Sequence, residues 1–336
     1  MDLSIILVNY KSTQLTLDCI ESIYRETVKH SFEIILVDND SKDDCKTIVL
    51  SKYPQVVFLQ MDYNAGFARG NNAGIEISTG KYILLLNTDT IILDGAIDKS
   101  IDLLQSHPEA VGAGVQLLNS DGTTQISGAY FVKGGLNTLL QLPYLGRLIR
   151  NLGYRFKSQI PNIQTFHDTV EVDWVVGAYF LVKNDILKKS GLLDSDFFMY
   201  AEEMEWCGRL RKHGTILLFP EPKVIHLLGG SSINYYTTSD KVNGKNLWDK
   251  KGRQIIVSNM LRIRKQFGIG WFLLNLITHI IEIPLFFICL LIEKIFAQSK
   301  AQYKWKNLLD YTLNVTVAMS FFFKILLNKP FFYKVL

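Results

Sequence analysis

Short apolar runs alternate with helix-period patterns along the first third of the chain. Strand-like runs fall at 3–8, 32–37, 55–60 and 82–86, and amphipathic helical patterns fill the gaps at 13–26, 43–52 and 67–79. That alternation predicts βαβ units and a parallel sheet, hence an α/β fold. A helix at 94–106 and a strand at 111–117 extend the same domain. From about 120 to 170 the pattern weakens into Gly- and polar-rich segments, expected as loops and short strands over a cleft. Order returns at Val170–Val182, read as a strand pair around Trp174 and Gly177, then at a helix over 202–213 and two short strands at 215–219 and 223–226. The expected organisation is an α/β domain over 1–240 and a helical tail over 241–336.

The tail changes character. Lys250–Phe267 holds six Lys/Arg with Ile255, Ile256, Met260, Leu261 and Ile263 between them, the pattern of an interfacial amphipathic helix. Trp271–Ile292 is mostly apolar over 22 residues, long enough to span a bilayer. It also contains His279, Glu282 and Pro284, and a mid-membrane carboxylate costs about 2.5–3.5 kcal/mol on insertion scales. A broken, re-entrant or surface-lying helix pair is therefore expected rather than a clean span. Val315–Leu327, with Phe321, Phe322 and Phe323 beside Lys324, reads as a second interfacial element. The alternative is that both stretches are core helices of a soluble subdomain.

Charge sharpens the division. Residues 241–336 carry 15 Lys/Arg against 4 Asp/Glu, whereas 1–240 carry 21 against 28. Basic residues alternating with apolar runs favour an anionic membrane surface, and no nucleic-acid motif supports a nucleic-acid partner. A chain of 336 residues that is 48% apolar and 20% charged can bury a large core, which excludes collagenous and disordered classes. Cys19, Cys45, Cys207 and Cys289 form no Cys-x-x-Cys pair, arguing against a disulfide framework or structural zinc and for a reducing cytoplasm. Met1-Asp2-Leu3 runs straight into an apolar strand with no basic leader, so a signal peptide is not expected and the cytoplasmic face of the membrane is.

Chemistry concentrates at strand ends. Tyr82–Leu86 is a buried-strand run that stops abruptly at Asn87-Thr88-Asp89. Ligands of open α/β sheets bind beyond the carboxyl ends of strands, so Asn87 and Asp89 should stand in the cleft, where a carboxylate can hold a hard divalent cation against a diphosphate. Val37-Asp38-Asn39-Asp40-Ser41 closes the second strand: Asp38 suits a nucleotide base or ribose, and Ser41 suits a helix cap. Asn64–Gly74 opens the third helix with a Gly-rich turn, a helix N-terminus that favours an anion, and the cationic fork of Arg69. Leu193–Glu205 puts aromatics before an acidic helix start. Glu205 and Arg209 are spaced to pair on the surface, while Glu203 shares a stripe with Cys207 and Leu210, so partial burial makes it a candidate proton acceptor. His226, ending an apolar strand before Leu227–Ser232, can complete a metal or diphosphate site or be a satisfied core histidine.

Taken in order, Ser4–Tyr10, Val37–Ser41, Asn64–Gly74, Leu84–Asp89, Trp174–Ala178, Leu193–Arg209 and His226–Ser232 resemble the family-2 glycosyltransferases of GT-A fold, most closely their rhamnosyltransferase-like branch. The resemblance implies an inverting transfer from a nucleoside-diphosphate sugar, with dTDP-rhamnose favoured, to a polyprenyl-diphosphate-linked glycan, assisted by Mg²⁺ or Mn²⁺. It implies that Asp38 contacts the base, Asp89 is the metal-binding end of the Asp-x-Asp motif, Glu203 is the catalytic base and His226 is a second metal or diphosphate contact. It further implies donor-side roles for Asn9, Tyr10, Asn64, Gly66, Arg69, Asn72, Asn87 and Thr88, and acceptor-side roles for Trp174, Gly177 and Glu202. Two positions depart from the family pattern: Asn87 fills the first acidic place of Asp-x-Asp, and Glu203 stands where Asp is usual. The rival classes are a nucleotidyltransferase, although Val8–Ser12 lacks the glycine its phosphate loop would carry, and a non-catalytic sugar-nucleotide scaffold at the membrane.

Overall fold

The computed structural model describes residues 1–130, 138–155, 161–227, 246–296 and 302–335. Their contacts group into two units. In the first, four parallel strands, β1 (Leu3–Asn9), β2 (Phe32–Asp38), β3 (Val57–Gln60) and β4 (Tyr82–Asn87), lie in the order β3-β2-β1-β4. Helices α1 (Thr13–Glu26), α2 (Cys45–Lys52) and α3 (Gly66–Glu76) connect them. Parallel neighbours need such crossovers, and strands covered on both faces read as continuous apolar runs: Leu3, Ile5, Ile6 and Leu7 are all fully buried. Register pairs Asn9 with Asp38 and Val8 with Asn87, so the three strands end in step and line up their polar terminal residues along one sheet edge.

The sheet continues through mixed strands. These are β5 (Thr90–Ile92), β6 (Ala110–Leu118), β11 (Tyr179–Lys183) and β12 (Thr215–His226), in the order β4-β11-β6-β12-β5. Helix α4 (Ala96–Ser106) lies between β5 and β6 in sequence. The two short strands expected at 215–219 and 223–226 are one strand, β12, whose register shifts between Phe219 and Lys223. Pro220 and Pro222 in that interval cannot donate to a ladder, which accounts for the bulge.

The expected strand pair over 170–182 is not formed. Trp174–Val175 (β10) pairs with Gly128–Ala129 (β7), which also pairs with Asn162–Ile163 (β8), in a separate three-stranded sheet, whereas β11 joins the main sheet and Val170–Glu171 (β9) pairs with β12. The segment expected as loops and short strands thus supplies the short strands β7 and β8 and, in addition, a helix, α5 (Leu145–Arg155). A short helix α6 (Asn184–Ser190) went unread, and the helix expected over 202–213 is α7 (Glu202–Leu210).

Glycines of the Asn64–Gly74 turn serve packing as well as conformation. Gly66 takes φ +75° at the start of α3, a region costly to a side chain. A Cβ on Gly74 would come 2.6 Å from Ile6 Cγ2, and one on Gly70 3.0 Å from Val8 Cγ1, so the pair lets α3 approach β1 closely.

The second unit comprises α8 (Lys250–Phe267), α9 (Ile269–Phe296), α10 (Trp305–Ser320) and α11 (Phe322–Leu326), together with α5 and the 196–201 segment. The tail therefore does not form this unit alone. Helix α8 is capped by Asp249, whose Oδ1 accepts from Gly252 N at 2.6 Å, and closes at Gly268 with φ +89°. It is a core helix and not the interfacial one expected, for Ile256, Val257, Met260, Leu261 and Ile263 are all fully buried. Its cations are used internally. Arg253 donates to Asn314, Arg262 to Gln266, Arg264 to the Leu326 carbonyl, and Lys265 pairs with Asp196 at 2.6 Å.

Helix α9 is one continuous helix of 28 residues that contains Pro284, where a break was expected. Its polar residues turn inward. Asn275 donates to Thr138, His279 bonds the Tyr311 hydroxyl at 2.9 Å, and Glu282 accepts the backbone N–H groups of Tyr144 (2.6 Å) and Leu145 (3.0 Å) at the start of α5. A carboxylate is favoured at a helix N-terminus, so Glu282 is a structural cap rather than a charge facing lipid.

Candidate active site

The site begins where β1, β2 and β4 end. Asn9 is fully buried, and its amide nitrogen donates to Asp38 Oδ2 at 2.8 Å and Ser41 Oγ at 3.1 Å, while its oxygen accepts from Ser12 and Thr16. Asn9 therefore holds the loops together and orients Asp38. The other Asp38 oxygen accepts from Ser41 N at 2.9 Å and from Gln60 Nε2 at 3.0 Å. Ser41 is not the cap expected, since α2 starts at Cys45 with Asp44 at the N-cap position; Ser41 instead secures the loop by accepting from Lys11 N. Tyr10 is half-buried at the end of β1, followed by Lys11 at φ 55°. Thr88 is buried, its hydroxyl 3.3 Å from that of Ser12.

The 64–72 turn is braced from two sides. Asn39, unread from the sequence, accepts from Ala65 N at 2.8 Å and donates to Asn64 Oδ1 at 3.1 Å, so the residue after Asp38 fixes the turn beside it. Arg69 donates through Nε to the Ser195 carbonyl at 2.8 Å and through Nη1 to Tyr63 at 3.0 Å. Asn72 accepts from Leu193 N and donates to Leu193 O, a backbone-like clamp on the 193–195 loop. The structure thus uses both side chains to hold the loop that leads toward α7.

Asp89 and His226 lie 137 positions apart in sequence, and strand pairing joins them. β5 runs antiparallel to β12 with Thr90 opposite His226, and Leu227 N donates to the Asp89 carbonyl at 2.9 Å. His226 Nε2 consequently lies 3.5 Å from Asp89 Oδ1 and 3.4 Å from Asn87 Nδ2. Both Asp89 and His226 are buried. A carboxylate oxygen beside an imidazole nitrogen is a donor set that fits a divalent cation such as Mg²⁺ or Mn²⁺, with Asn87 as a neutral neighbour. A second group with ligand spacing, Asp38, Asp43 and Cys45, lies at the end of β2. Burial pushes the Cys45 thiol up to about 11, which keeps it protonated and a poor ligand.

The acidic helix differs from expectation at Glu205. Glu205 and Arg209 do pair, but Glu205 is buried: Arg209 binds it through Nε and Nη2 and spends its remaining donors on the Ser190 and Leu192 carbonyls. The buried residues of α7 are Glu202, Glu205, Trp206, Cys207 and Leu210, and Glu203 is half-buried, the partial burial expected of it. Tyr200 and Ala201, at φ 69° and 70°, precede the helix and set its entry. What locates Glu203 is the Trp174–Ala178 segment. A Cβ on Gly177 would sit 3.9 Å from Glu203 Cγ and 3.4 Å from Phe67 Cζ of α3, so Gly177 brings its backbone close to both side chains. Trp174 is half-buried on β10. Of the His226–Ser232 segment, 228–232 lie outside the described residues.

Residues 4–170 match the family model described as glycosyl transferase family 2. An N-acetylglucosaminyl-diphospho-decaprenol L-rhamnosyltransferase of Mycobacterium tuberculosis is 25% identical over 208 residues, which cover 57% of this chain and 66% of that one. A low-salt glycan biosynthesis hexosyltransferase of Haloferax volcanii is 26% identical over 215 residues, 63% of this chain and 62% of that one. The match thus spans less than two thirds of either relative. Among solved structures, a mannosyltransferase from Pyrobaculum calidifontis in complex with GDP-Man and Mn²⁺ shares the fold at a TM-score of 0.55 and 13% identity, covering 97% of this chain and 87% of that one. The ordered strand ends, the sheet they belong to and the family match converge: this chain belongs to the family-2 glycosyltransferases and has the GT-A fold.

Proposed function

We propose that the protein is an inverting, metal-dependent glycosyltransferase that moves a sugar from a nucleoside diphosphate, with dTDP-rhamnose the favoured donor, to a polyprenyl-diphosphate-linked glycan in cell-surface polysaccharide synthesis. The observation that carries this reading is the approach of His226 to within 3.5 Å of Asp89 at the carboxyl end of β4. Asp38, oriented by Asn9, Ser41 and Gln60, receives the nucleotide base or ribose. Asp89 and His226 hold the cation, which when bound offsets the charge of the departing diphosphate. Glu203, half-buried beside Gly177, accepts the proton of the acceptor hydroxyl as that oxygen attacks the anomeric carbon from the face opposite the diphosphate. Trp174 and Glu202 flank the acceptor side. No covalent enzyme intermediate is required.

The helical unit gives the acceptor half of the reading its support. Along α9 the polar Asn275, His279 and Glu282 are buried while Ile277, Ile281, Ile288 and Ile292 stay 50–53% exposed, an inverted arrangement that suits an apolar surrounding. The exposed isoleucine flank of α9 is the part that meets the acyl boundary, so α9 lies in the plane of the cytoplasmic membrane face with one flank immersed. Exposed Leu309 and Leu313 on α10 extend that flank, and Lys304 and Lys306 at the start of α10 suit anionic headgroups. The M. tuberculosis relative is named for a decaprenol-linked substrate, which agrees with an acceptor presented at a membrane.

Thermal stabilisation against a panel of sugar nucleotides, with and without Mg²⁺ or Mn²⁺, tests the donor claim. A ligand at 100 times its Kd adds about 2.7 kcal/mol. A metal-dependent shift confined to deoxythymidine diphosphate sugars is expected, and equal shifts with all donors or none would remove the dTDP-rhamnose reading.

A further inference from the structure

We infer that Gln125 is a positioning residue that holds His226 in a single tautomer, Nδ1 protonated and Nε2 presented as a bare lone pair toward Asp89. Gln125 is 7% exposed and reaches His226 from a tight turn after β6. Asn119 N donates to Thr123 O at 2.7 Å, Gly122 takes φ +82°, and Gln125 N returns to Leu117 O at 2.8 Å. The turn swings the Gln125 amide onto the end of β12, the strand that runs parallel to β6.

The hydrogen bonds fix the amide. Gln125 Nε2 donates to the Leu118 carbonyl at 3.1 Å and to the His226 carbonyl at 2.5 Å, and a carbonyl can only accept. Both amide hydrogens are thereby used on the main chain, and the atom left facing His226 Nδ1 at 3.1 Å is Oε1. Oε1 has no hydrogen to give, so Nδ1 is the donor. A neutral imidazole protonated at Nδ1 is bare at Nε2. That lone pair accepts from Asn87 Nδ2 at 3.4 Å, beside the Asp89 carboxylate at 3.5 Å. The amide of Asn87, standing where the family pattern has a carboxylate, therefore matches the tautomer that Gln125 enforces, and the two residues act on opposite nitrogens of one ring. Partners of this kind orient metal-bound histidines and commonly change metal affinity 10–100-fold when removed.

The inference rests on the proposed role of His226, and the test separates the two. Long-range proton–nitrogen NMR correlations on the full-length, metal-free protein with labelled histidine report the His226 tautomer directly, its signals assigned from loss in His226→Gln. A protonated Nδ1 and bare Nε2 are expected in the wild type. The opposite tautomer, or an even mixture, would overturn the inference without any substitution at Gln125. In Gln125→Leu the tautomers should mix, and Mn²⁺ affinity measured by electron paramagnetic resonance should fall about 10–100-fold. Circular dichroism of Gln125→Leu that matches the wild type serves as the control that the variant is folded. If Gln125→Leu leaves the wild-type tautomer unchanged, Gln125 does not position the ring and the inference fails. If the tautomer mixes while Mn²⁺ affinity holds, positioning stands and the metal role of His226 falls.

Discussion

Asp89 follows the end of the central strand β4, and two neighbours, His226 and Asn87, stand beside it. Asp89→Ala should abolish transfer and remove the metal-dependent part of donor affinity; full activity retained at low metal would refute the strand-end argument. Glu203 and Glu202 are adjacent, but they meet different surroundings: Glu202 is 3% exposed, while Glu203 lies half-buried beside Gly177. Glu203→Gln preserves shape and removes basicity, so it should leave donor binding intact and cut kcat by about 10²–10⁴-fold. Glu202→Gln should cost less in the same assay, and a larger loss there would transfer the role. His279 gives a pH signature unrelated to catalysis. Burial lowers its pKa from 6.5 to about 4. Below pH 6.5 the unfolded chain takes up a proton that the folded one refuses, so stability declines as pH falls from about 6.5 to about 4, by up to about 3 kcal/mol. Chemical denaturation of wild type and His279→Gln at pH 7 and pH 5 checks this, the variant showing the smaller difference.

Among the elements, α3 shows how packing shaped a segment that also looks like a phosphate turn. Its Gly74 faces Ile6 so closely that a methyl group must displace that side chain. Gly74→Ala should therefore destabilise by about 1–3 kcal/mol through overpacking, measured as a lowered denaturation midpoint with an unchanged m-value. Gain in stability, as at an ordinary helical glycine, would show that α3 can retreat from β1. Helix α8 depends on its cap: Asp249→Ala removes the acceptor for Gly252 N and should cost about 1 kcal/mol.

Across the whole molecule, attachment to a membrane is expected from the α9 and α10 flank more than from charge. Arg253, Arg262, Arg264 and Lys265 of α8 are engaged within their own unit, so binding to anionic vesicles should weaken only modestly with salt. Replacing Ile281 and Ile288 together by Asn should release the protein from vesicles in a flotation assay while its circular dichroism stays unchanged. Persistent flotation would remove this face from the contact, and self-association in detergent-free solution would identify a second copy as its cover. Substitution is the sharper test than truncation near 240, because α5 and the 196–201 segment belong to the same unit as the C-terminal helices.

The amino-acid order alone determined the βαβ half of the sheet, because a buried parallel strand must be apolar throughout and must stop where it meets the cleft. Tyr82–Leu86 followed by Asn87-Thr88-Asp89 carries both signals locally. The ordered motifs likewise made the family legible. Contacts between distant segments carry no local signal. Nothing near Trp174 announces that β10 leaves the main sheet for β7, and nothing near Gln125 announces the ring of His226, 101 positions away. Spacing gave the partial burial of Glu203, but residue spacing gives only the angle between side chains, so the full burial of Glu202 and Glu205 beside it came from tertiary packing. The same limit governed the tail. Its pattern told apolar from basic positions, but only tertiary packing decided that α8 turns its apolar face inward and that α9 buries Glu282 as a cap while turning isoleucines outward, since a polar group is driven inside only when partners such as Tyr144 N and Leu145 N are there to receive it.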